Sequence, residues 1–432
     1  MQKISIKNFG PIKEFESEVK NINLFIGPQA SGKSTISKSI FIFKSLKNRL
    51  MSFILDISDE QLEHPINEFS KYLSRWFFEC FGKNWRTQSF ELTYNYSADK
   101  TVRFYPKDGK VICVQFNQKI LDELNQIFAA VREHNRNFLN GRDSYTRLDI
   151  LLERESQKRS NLKIIEAKIN ELFEEHRNSV FIPAGRSLLS TLAEQIQNIK
   201  LEVDNLDFFT KSFVELISYL KPSFQDNLFQ LIEDKQSLEG DRFDFERVEL
   251  AVKIIQSILK GEYRFDANTE KIYFNSQEYV KLNYASSGQQ ESVWILLLIF
   301  KYILDQLNIF LVIEEPEAHL YPETQKNMVE LIALLANIPG NQVIVTTHSP
   351  YILTAFNNLL YANKVGSKHQ EVSRIVDSQI WVDSAKTTAY LISDVGYESI
   401  FDAETELIKA EKIDSASEII DEEFDQILAL DD

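Results

Sequence analysis

The feature that most constrains the fold is a glycine-bearing loop between an apolar strand and a helix. Ile22–Ile26 is a strand-like run that is apolar except for Asn23, Gly27-Pro28-Gln29-Ala30-Ser31-Gly32-Lys33-Ser34-Thr35 follows it, and a helical pattern begins near Lys33. The loop fits the pattern G-x-x-x-x-G-K-[ST], in which backbone N–H groups converge on phosphates at a helix N-terminus. Lys33 would reach the β- and γ-phosphates, and Ser34 would supply a hydroxyl to Mg²⁺. A glycine turn that holds no ligand is the alternative.

Polar residues follow two further runs that have the composition of buried strands. The run 309–313 ends in Glu314 and Glu315, and the run 342–347 ends in His348. The carboxyl ends of buried parallel strands are where ligands bind, so the acids form a Walker B arrangement. Glu314 would hold Mg²⁺ through water, Glu315 would polarise the attacking water, and His348 would sense the γ-phosphate. A solvated helix cap for the acids and a structural hydrogen bond for His348 are the alternatives, and His319 remains open between a functional and a structural role.

A fourth motif, Ala285-Ser286-Ser287-Gly288-Gln289, lies directly before an apolar helical run. Ser286 and Gly288 at a helix N-terminus predict an anion site. Helix capping alone would place the same residue types there. The order of the four motifs along the chain favours the anion site.

Net charge does not decide whether the chain binds nucleic acid. The formal charge is -16, but residues 394–432 hold 14 acidic residues against Lys409 and Lys412. The rest of the chain is therefore close to neutral, and a local basic surface is compatible with it.

Two other class assignments follow from composition. The most apolar run, 293–300, is interrupted by Lys301 and is far shorter than the ~20 residues of a membrane span. The N-terminus lacks the apolar core of a secretory signal, so we expect a cytoplasmic protein without membrane association. Cys80 and Cys113 have neither a disulfide framework nor zinc-site spacing.

The periodicity of the remaining chain predicts its organisation. Three strands at 89–96, 100–105 and 110–116 form an antiparallel meander, and 118–177 and 192–260 are mostly helical, with a break near 140–143. We expect a lobe with the phosphate loop at 1–117, a helical insertion at 118–261 crossed by a core strand near 179–183, a second lobe with the other three motifs at 262–365 and a C-terminal region at 366–432 with an acidic tail. The tail from Asp394 is either an acidic arm or, from its apolar spacing, a packing or partner-docking helix.

The four motifs in this order resemble the ABC-type ATPase heads of RecF, SMC proteins and OLD-family nucleases. Ala285 to Gln289 corresponds to the signature usually written LSGGQ, and Glu314-Glu315-Pro316-Glu317-Ala318-His319 with Thr347-His348-Ser349-Pro350 is closest to the OLD-like branch. The resemblance covers residues 1–117 and 262–360. It implies an α/β fold, a P-loop ATPase head with a mixed sheet, an antiparallel lobe and helical insertions. It also implies ATP and Mg²⁺ as ligands, and a head-to-tail dimer in which Ser286, Gly288 and Gln289 of one copy touch the nucleotide held by the other.

The chain departs from the family pattern at three positions. Ala30 and Ser287 stand where the family usually has glycine, and Glu314 replaces an aspartate. Each keeps the functional group that the chemistry needs, and slow turnover is compatible with them. The family's switch glutamine has no clear counterpart, because Gln115 is expected to be an ordinary strand residue.

Two functions are compatible with these motifs. OLD-family enzymes carry a nuclease module after the histidine strand, whereas here that segment offers one short strand candidate, 379–382, and no Asp-x-Asp pair. This favours an ATPase resembling the PARIS and Septu antiphage subunits, which control a separate effector such as a nuclease. The alternative is a RecF-like clamp on duplex DNA, with phosphate contacts from residues such as Arg132, Arg136, Arg142 and Arg147. Solvated helix faces would explain these arginines equally.

Overall fold

The computed structural model describes residues 2–58, 60–82, 89–107, 111–139, 162–187, 206–240, 243–402, 404–409 and 426. Two compact units divide the chain, residues 1–19 with 35–179 and residues 20–34 with 180–432. The strands are β1 (Lys3–Phe9), β2 (Ile12–Glu18), β3 (Ile22–Ile26), β4 (Glu91–Asn95), β5 (Thr101–Lys107), β6 (Val111–Phe116), β7 (Asn178–Ile182), β8 (Glu262–Asp266), β9 (Thr269–Tyr273), β10 (Tyr279–Lys281), β11 (Ile309–Glu314), β12 (Gln342–Thr347), β13 (Thr387–Ser393), β14 (Gly396–Ser399), β15 (Phe401–Asp402) and β16 (Leu407–Ile408).

The helices lie between groups of these strands, and single helices and strands alternate from Ser287 to Ser393. They are α1 (Lys33–Lys44), α2 (Leu46–Asp56), α3 (Pro65–Phe81), α4 (Gln118–Leu139), α5 (162–172), α6 (Phe208–Leu220), α7 (Leu228–Glu239), α8 (Phe245–Leu259), α9 (Ser287–Leu304), α10 (Pro322–Ala336) and α11 (Pro350–Gly366). In the described ranges, no helix is both long and apolar enough to cross a membrane.

The first unit is built on an antiparallel sheet of five strands in the order β2-β1-β4-β5-β6. Aromatic rings fill one side of it: Phe9, Phe77, Phe90 and Phe104 are all buried, and the ring of Phe77 stacks on those of Phe90 and Phe104 at 5.7 and 5.8 Å. The predicted meander is confirmed as β4, β5 and β6. Gln115 pairs with Arg103 in this ladder and is an ordinary strand residue, as expected.

The second unit is built on a six-stranded sheet in the order β14-β13-β3-β12-β11-β7. The strands β13, β3, β12 and β11 are parallel, and β14 runs antiparallel to β13. Every residue of β3, β11 and β12 is buried, which explains why their sequences are mostly apolar and do not alternate between apolar and polar residues. The predicted α/β class with a mixed sheet and an antiparallel lobe is confirmed.

A hairpin and an apolar helix complete the second unit. β8 and β9 pair antiparallel around Ala267 and Asn268, both at positive φ, as the two-residue turn of a hairpin requires. α9 is buried along most of its length and packs in the same core as α8 and α10. The helix is apolar on nearly all sides because it lies inside this unit.

The segment after the histidine strand differs from its prediction. No strand forms at 379–382; Ser378–Ile380 is a 3-10 turn, and the strand of this segment is β13, which pairs with β3. Val382 is nonetheless fully buried and its N–H donates to Leu359 O. The apolar alternation therefore reflects burial in the core without a strand ladder.

The acidic tail starts with strands. β14, β15 and β16 occupy 396–408, and Ile400 and Ile408 are buried. The expectation of an acidic arm or helix from Asp394 is wrong for these residues, while the tail from residue 410 onward lies outside the described residues except for residue 426. The break predicted near 140–143 also lies outside them. The division into two lobes, an insertion and a C-terminal region stays a prediction.

Candidate nucleotide site

Three adjacent strand ends bring the predicted site together in the second unit. In the parallel ladder, Thr347 of β12 lies opposite Ile26 of β3, and Glu314 of β11 lies opposite Thr346 of β12. The phosphate loop, the second acid and the histidine each come directly after one of these strands. They therefore meet at one edge of the sheet, at the carboxyl ends where α/β proteins bind ligands.

Lys33 lies inside the phosphate loop. Its side-chain Nζ donates to the carbonyl oxygens of Gly27 and Pro28, both at 2.8 Å, and lies 3.4 Å from His348 Nδ1. The residue is 5% exposed. The lysine is thus already aimed into the loop and held by carbonyls that a phosphate oxygen would replace as its partner.

Opposing effects act on the charge of Lys33. Burial lowers its pKa, while the carboxylates of Glu315, Glu317 and Glu314 favour the charged form. The net shift is downward. A phosphate group next to this lysine would add negative charge and favour the protonated ammonium.

His348 connects the lysine to the second acid. Its Nε2 lies 3.1 Å from Glu315 Oε1, on the side of the ring opposite the Lys33 contact. A lysine ammonium only donates hydrogen bonds, so Nδ1 accepts and the ring proton lies on Nε2, where it is donated to Glu315. This assignment gives all three groups a consistent partner.

The backbone at Glu315 is strained. Its φ is 46°, in the left-handed region that costs a non-glycine residue about 1–3 kcal/mol, and its N–H donates to Thr346 O at 2.8 Å. Glu314 directly before it is buried, and its Oε1 has no hydrogen-bond partner among the described residues. The two acids therefore differ: Glu314 is in the sheet and Glu315 is turned out of it.

Glu317 is a site residue that the sequence motifs did not single out. Its Oε1 accepts hydrogen bonds from Thr347 Oγ1 and from His348 N, both at 2.7 Å. This carboxylate fixes the start of the loop that carries the histidine. The available signal was a third acid two residues after Glu315, within the segment that resembles the OLD-like branch.

Arg186 was also missed. It is fully buried after β7, and its guanidinium donates to the backbone carbonyls of Pro183, Glu314, Glu315 and Glu291 at 2.7–2.8 Å. The sequence signal was an arginine three residues after a predicted core strand. That signal is weak because buried arginines are rare.

Several features of the phosphate loop fit a bound triphosphate. Ser31 is buried and its Oγ has no hydrogen-bond partner among the described residues, although an acceptor or donor from a ligand would satisfy it. Gly27, Ala30 and Gly32 have positive φ, and backbone turns of this kind occur in loops whose N–H groups bind anions. A Cβ at Gly27 would lie 1.9 Å from Ile392 O, so the loop passes too close to β13 for any side chain.

The predicted magnesium ligands, Ser34 and Glu314, are residues of α1 and β11. Ser34 is the second residue of α1 and is exposed, Thr35 is half-buried, and Glu314 carries the unpartnered buried oxygen. A hydroxyl and a carboxylate are oxygen ligands of the kind that Mg²⁺ binds. Ser34 and Glu314 would hold the ion, which would neutralise charge on the phosphates.

The signature segment forms a capped helix start. Ser286 is the N-cap of α9 and makes a reciprocal capping box with Gln289, whose Nε2 also donates to Leu259 O at 2.7 Å. Gly288 is packed so closely that a Cβ would lie 2.8 Å from His319 O. The capping interpretation is therefore correct, and the exposed Ser286 leaves the anion role a prediction. The side chain of His319 is exposed.

Comparisons with known proteins place the chain in a family. A family model described as "AAA ATPase domain" matches residues 1–353. No curated protein matches the chain. Among solved structures, an Smc head bound to the C-winged helix domain of ScpA is 10% identical, covering 92% of this chain and 96% of that one with a TM-score of 0.40.

Two further head domains are similar at the same level. The SMC head domain from Thermotoga maritima is 14% identical over 82% of this chain and 90% of that one, with a TM-score of 0.34. The Smc head domain with an extended coiled coil, bound to the C-terminal domain of ScpA and derived from Pyrococcus furiosus, is 12% identical over 93% and 96%, with a TM-score of 0.36.

Proposed function

The chain belongs to the AAA ATPase domain family, and on that premise we propose that it is a nucleotide-switched ATPase that controls a separate effector protein. The observation that carries the proposal is the chain of contacts from the phosphate loop through Lys33 and His348 to Glu315. It supports roles for all three: Lys33 binds the β- and γ-phosphates, His348 responds to the γ-phosphate, and Glu315 accepts a proton from the attacking water. ATP and water would give ADP and phosphate.

The remaining phosphate contacts come from the loop and from a second copy of the chain. Gly27, Ser31, Gly32 and Thr35 would contact ATP in the first copy, and Ser286, Gly288 and Gln289 of the other copy would close the site. The exposed hydroxyl of Ser286 at a helix N-terminus supports this arrangement. ATP would then bridge a head-to-tail dimer, and hydrolysis would separate it.

The segment after the histidine strand supports the proposal of a separate effector. The described residues after Ser349 extend the ATPase sheet itself, because β13 pairs with β3 and β14 pairs with β13. These residues serve the nucleotide site, since β13 carries the carbonyl of Ile392 against Gly27. We propose that the effector is a nuclease in antiphage defence and that this chain acts in the cytoplasm.

Nucleotide-dependent capture tests the proposal. Purified chain carrying Glu315→Gln would be loaded with ATP and Mg²⁺ and used as bait in extracts of cells that carry the neighbouring reading frames. Purified Lys33→Ala chain would be the matched second bait. We expect a nuclease with the first bait and none with the second, and a change in its cleavage of DNA when ATP is added. Equal capture by both baits, or no effector with either, would contradict the switch.

A clamp on duplex DNA has less support among the described residues. Arg132, a candidate phosphate contact, donates through Nε and Nη2 to Leu62 O at 3.0 and 2.7 Å and so serves the fold of the first unit. Arg142 and Arg147 lie outside the described residues, and so does the side chain of Arg136. Hydrolysis stimulated by duplex DNA, with stimulation falling steeply as salt rises, would favour the clamp over the effector switch.

A further inference from the structure

One buried arginine joins the two acids to the signature helix. Arg186 is fully buried, and its Nη1 and Nη2 donate to the carbonyl oxygens of Glu314 and Glu315 at 2.7 and 2.8 Å. These are the backbone groups on either side of the turn that moves Glu315 out of the sheet. The guanidinium therefore fixes the peptide whose orientation sets the direction of the Glu315 side chain.

The same arginine is held by the first turns of α9. Its Nε donates to Glu291 O at 2.8 Å and lies 3.4 Å from Glu291 Oε2, and its backbone N donates to Glu291 Oε2 at 3.0 Å. The other carboxylate oxygen of Glu291 accepts from Ser187 N at 3.0 Å. Glu291 lies on the helix that begins with Ser286 and Gly288, so a buried ion pair connects the signature to the acids.

Glu315 needs such support. Its left-handed backbone conformation is unfavourable for a residue with a side chain and persists only where surrounding contacts enforce it. The described backbone contacts of Glu315 are its N–H bond to Thr346 O and the two bonds that its carbonyl oxygen accepts, from Ala318 N at 3.1 Å and from Arg186 Nη2 at 2.8 Å. Arg186 does not contact the phosphate loop through any of these bonds, so its influence on catalysis would pass through Glu315.

We propose that Arg186 is a positioning residue for Glu315, and that its pair with Glu291 makes the geometry of the catalytic acid depend on the position of α9. The inference rests on the proposed function, since it assigns how the same site is held in its active geometry. Closure of a second copy on Ser286 and Gly288 would shift or brace α9, and the Arg186–Glu291 pair carries that change to the acid. Hydrolysis would then be fastest when the dimer is closed.

Arginine is required at this position by its shape. Its planar fork donates to four backbone carbonyls and faces a carboxylate at once, whereas a lysine has three donors on a single nitrogen. Lysine would keep the buried charge but lose part of the carbonyl set. Arg186→Lys therefore tests geometry separately from charge, and Glu291→Gln tests charge with shape conserved.

A matched control exists in the same unit. Lys221 is a buried cation, 3% exposed, paired at 2.5 Å with Glu270, which in turn accepts a hydrogen bond from Trp294 in the middle of α9. The pair touches the same helix away from its first turns. Lys221→Met should therefore destabilise the fold without changing the chemistry of folded molecules.

The experiment measures kcat and KM for ATP, the Kd of a fluorescent ATP analogue and the melting temperature of each variant. We expect Arg186→Lys to lower kcat by about 10- to 100-fold, the effect of a displacement near 1 Å, with Kd within about 3-fold. Glu291→Gln should lower kcat by a smaller factor, and Lys221→Met should leave kcat within about 2-fold of wild type.

Three results would overturn the inference. They are a wild-type kcat in both Arg186→Lys and Glu291→Gln, a rise in Kd as large as the fall in kcat, or a fall in kcat in Lys221→Met as large as that in Arg186→Lys. Failure of the proposed function is distinguishable, because wild-type chain would then neither bind the analogue nor release phosphate. If Arg186→Lys fails to fold, Glu291→Gln decides the question alone.

Discussion

The Nε2 atom of His348 lies 3.1 Å from Oε1 of Glu315, so the histidine and the acid form one hydrogen-bonded unit at the sheet edge. The other ring nitrogen faces Lys33 at 3.4 Å. A change in the hydrogen bonding of Lys33 can therefore alter the hydrogen bond of Glu315 through the imidazole of His348. This relationship gives the proposed phosphate sensor and the proposed water-activating group a direct physical connection.

Glu315→Gln separates binding from hydrolysis. The amide keeps the size of the side chain but cannot take a proton, and a general base contributes roughly 10²–10⁴-fold. We expect phosphate release to fall about 100-fold or more while the ATP analogue still binds, and light scattering to show an accumulated dimer with ATP. Glu323→Gln, an exposed acid in the first turn of α10, is the control and should hydrolyse ATP normally. Unchanged phosphate release in Glu315→Gln would remove the assigned role.

Lys33→Ala should weaken nucleotide binding at least about 10-fold. The substitution removes the ammonium that now bonds Gly27 O and Pro28 O and that would bond the phosphates. A charged hydrogen bond contributes about 1.5–3 kcal/mol, so we expect the Kd of the analogue to rise by at least about 10-fold. Lys253→Ala, which removes an exposed lysine of the same unit, should leave the Kd unchanged. The prediction fails if both variants bind ATP equally.

Two substitutions at Ser286 separate helix capping from phosphate contact. Alanine removes the cap and should cost about 1 kcal/mol of stability, measured by urea unfolding. Aspartate is an equally good cap, so Ser286→Asp should be as stable as wild type. Its negative charge would oppose the γ-phosphate of the other copy, and we expect no ATP-dependent dimer in light scattering. A stable Ser286→Asp chain that dimerises with ATP would show that the residue is only a cap.

A buried lysine in the first unit makes stability depend on pH. Burial lowers the pKa of Lys44 to about 8 from 10.5, although Glu175 lies 2.7 Å away. Between these pH values the unfolded chain holds a proton that the folded chain has lost, so the free energy of unfolding rises with pH. Below pH 8 both states are protonated and the contribution is constant.

Lys44→Met removes this titration. Relative to the variant, the free energy of unfolding of the wild-type chain should rise by up to about 3 kcal/mol between pH 8 and pH 10.5, at about 1.36 kcal/mol per pH unit. Urea unfolding followed by circular dichroism at several pH values measures the difference. Lys3→Met, which removes a half-exposed lysine, is the control and should run parallel to wild type. If the free energy of unfolding of Lys44→Met changed with pH in parallel with that of wild type, the lowered pKa of Lys44 would be contradicted.

The sequence was least informative where burial and strand pairing produce similar patterns. The alternation near Trp381 and Val382 predicted a strand, but Val382 is buried by packing while the ladder with β3 is made by residues 387–391. Apolar spacing records which side chains avoid water and leaves open which backbone groups pair. For the same reason, the apolar spacing after Asp394 did not predict β14 and β16.

The sequence by itself determined the phosphate loop, the acids after one apolar strand and the histidine after another, because these signals are short-range: a motif of nine residues and continuous burial of single strands. Only the tertiary structure decided that Arg186 pairs with Glu291, 105 residues away, and that Ile392 of β13 closes on Gly27. Such contacts depend on how the sheet orders its strands and which buried charge finds which partner. These are long-range outcomes of packing, and no local pattern of residues encodes them.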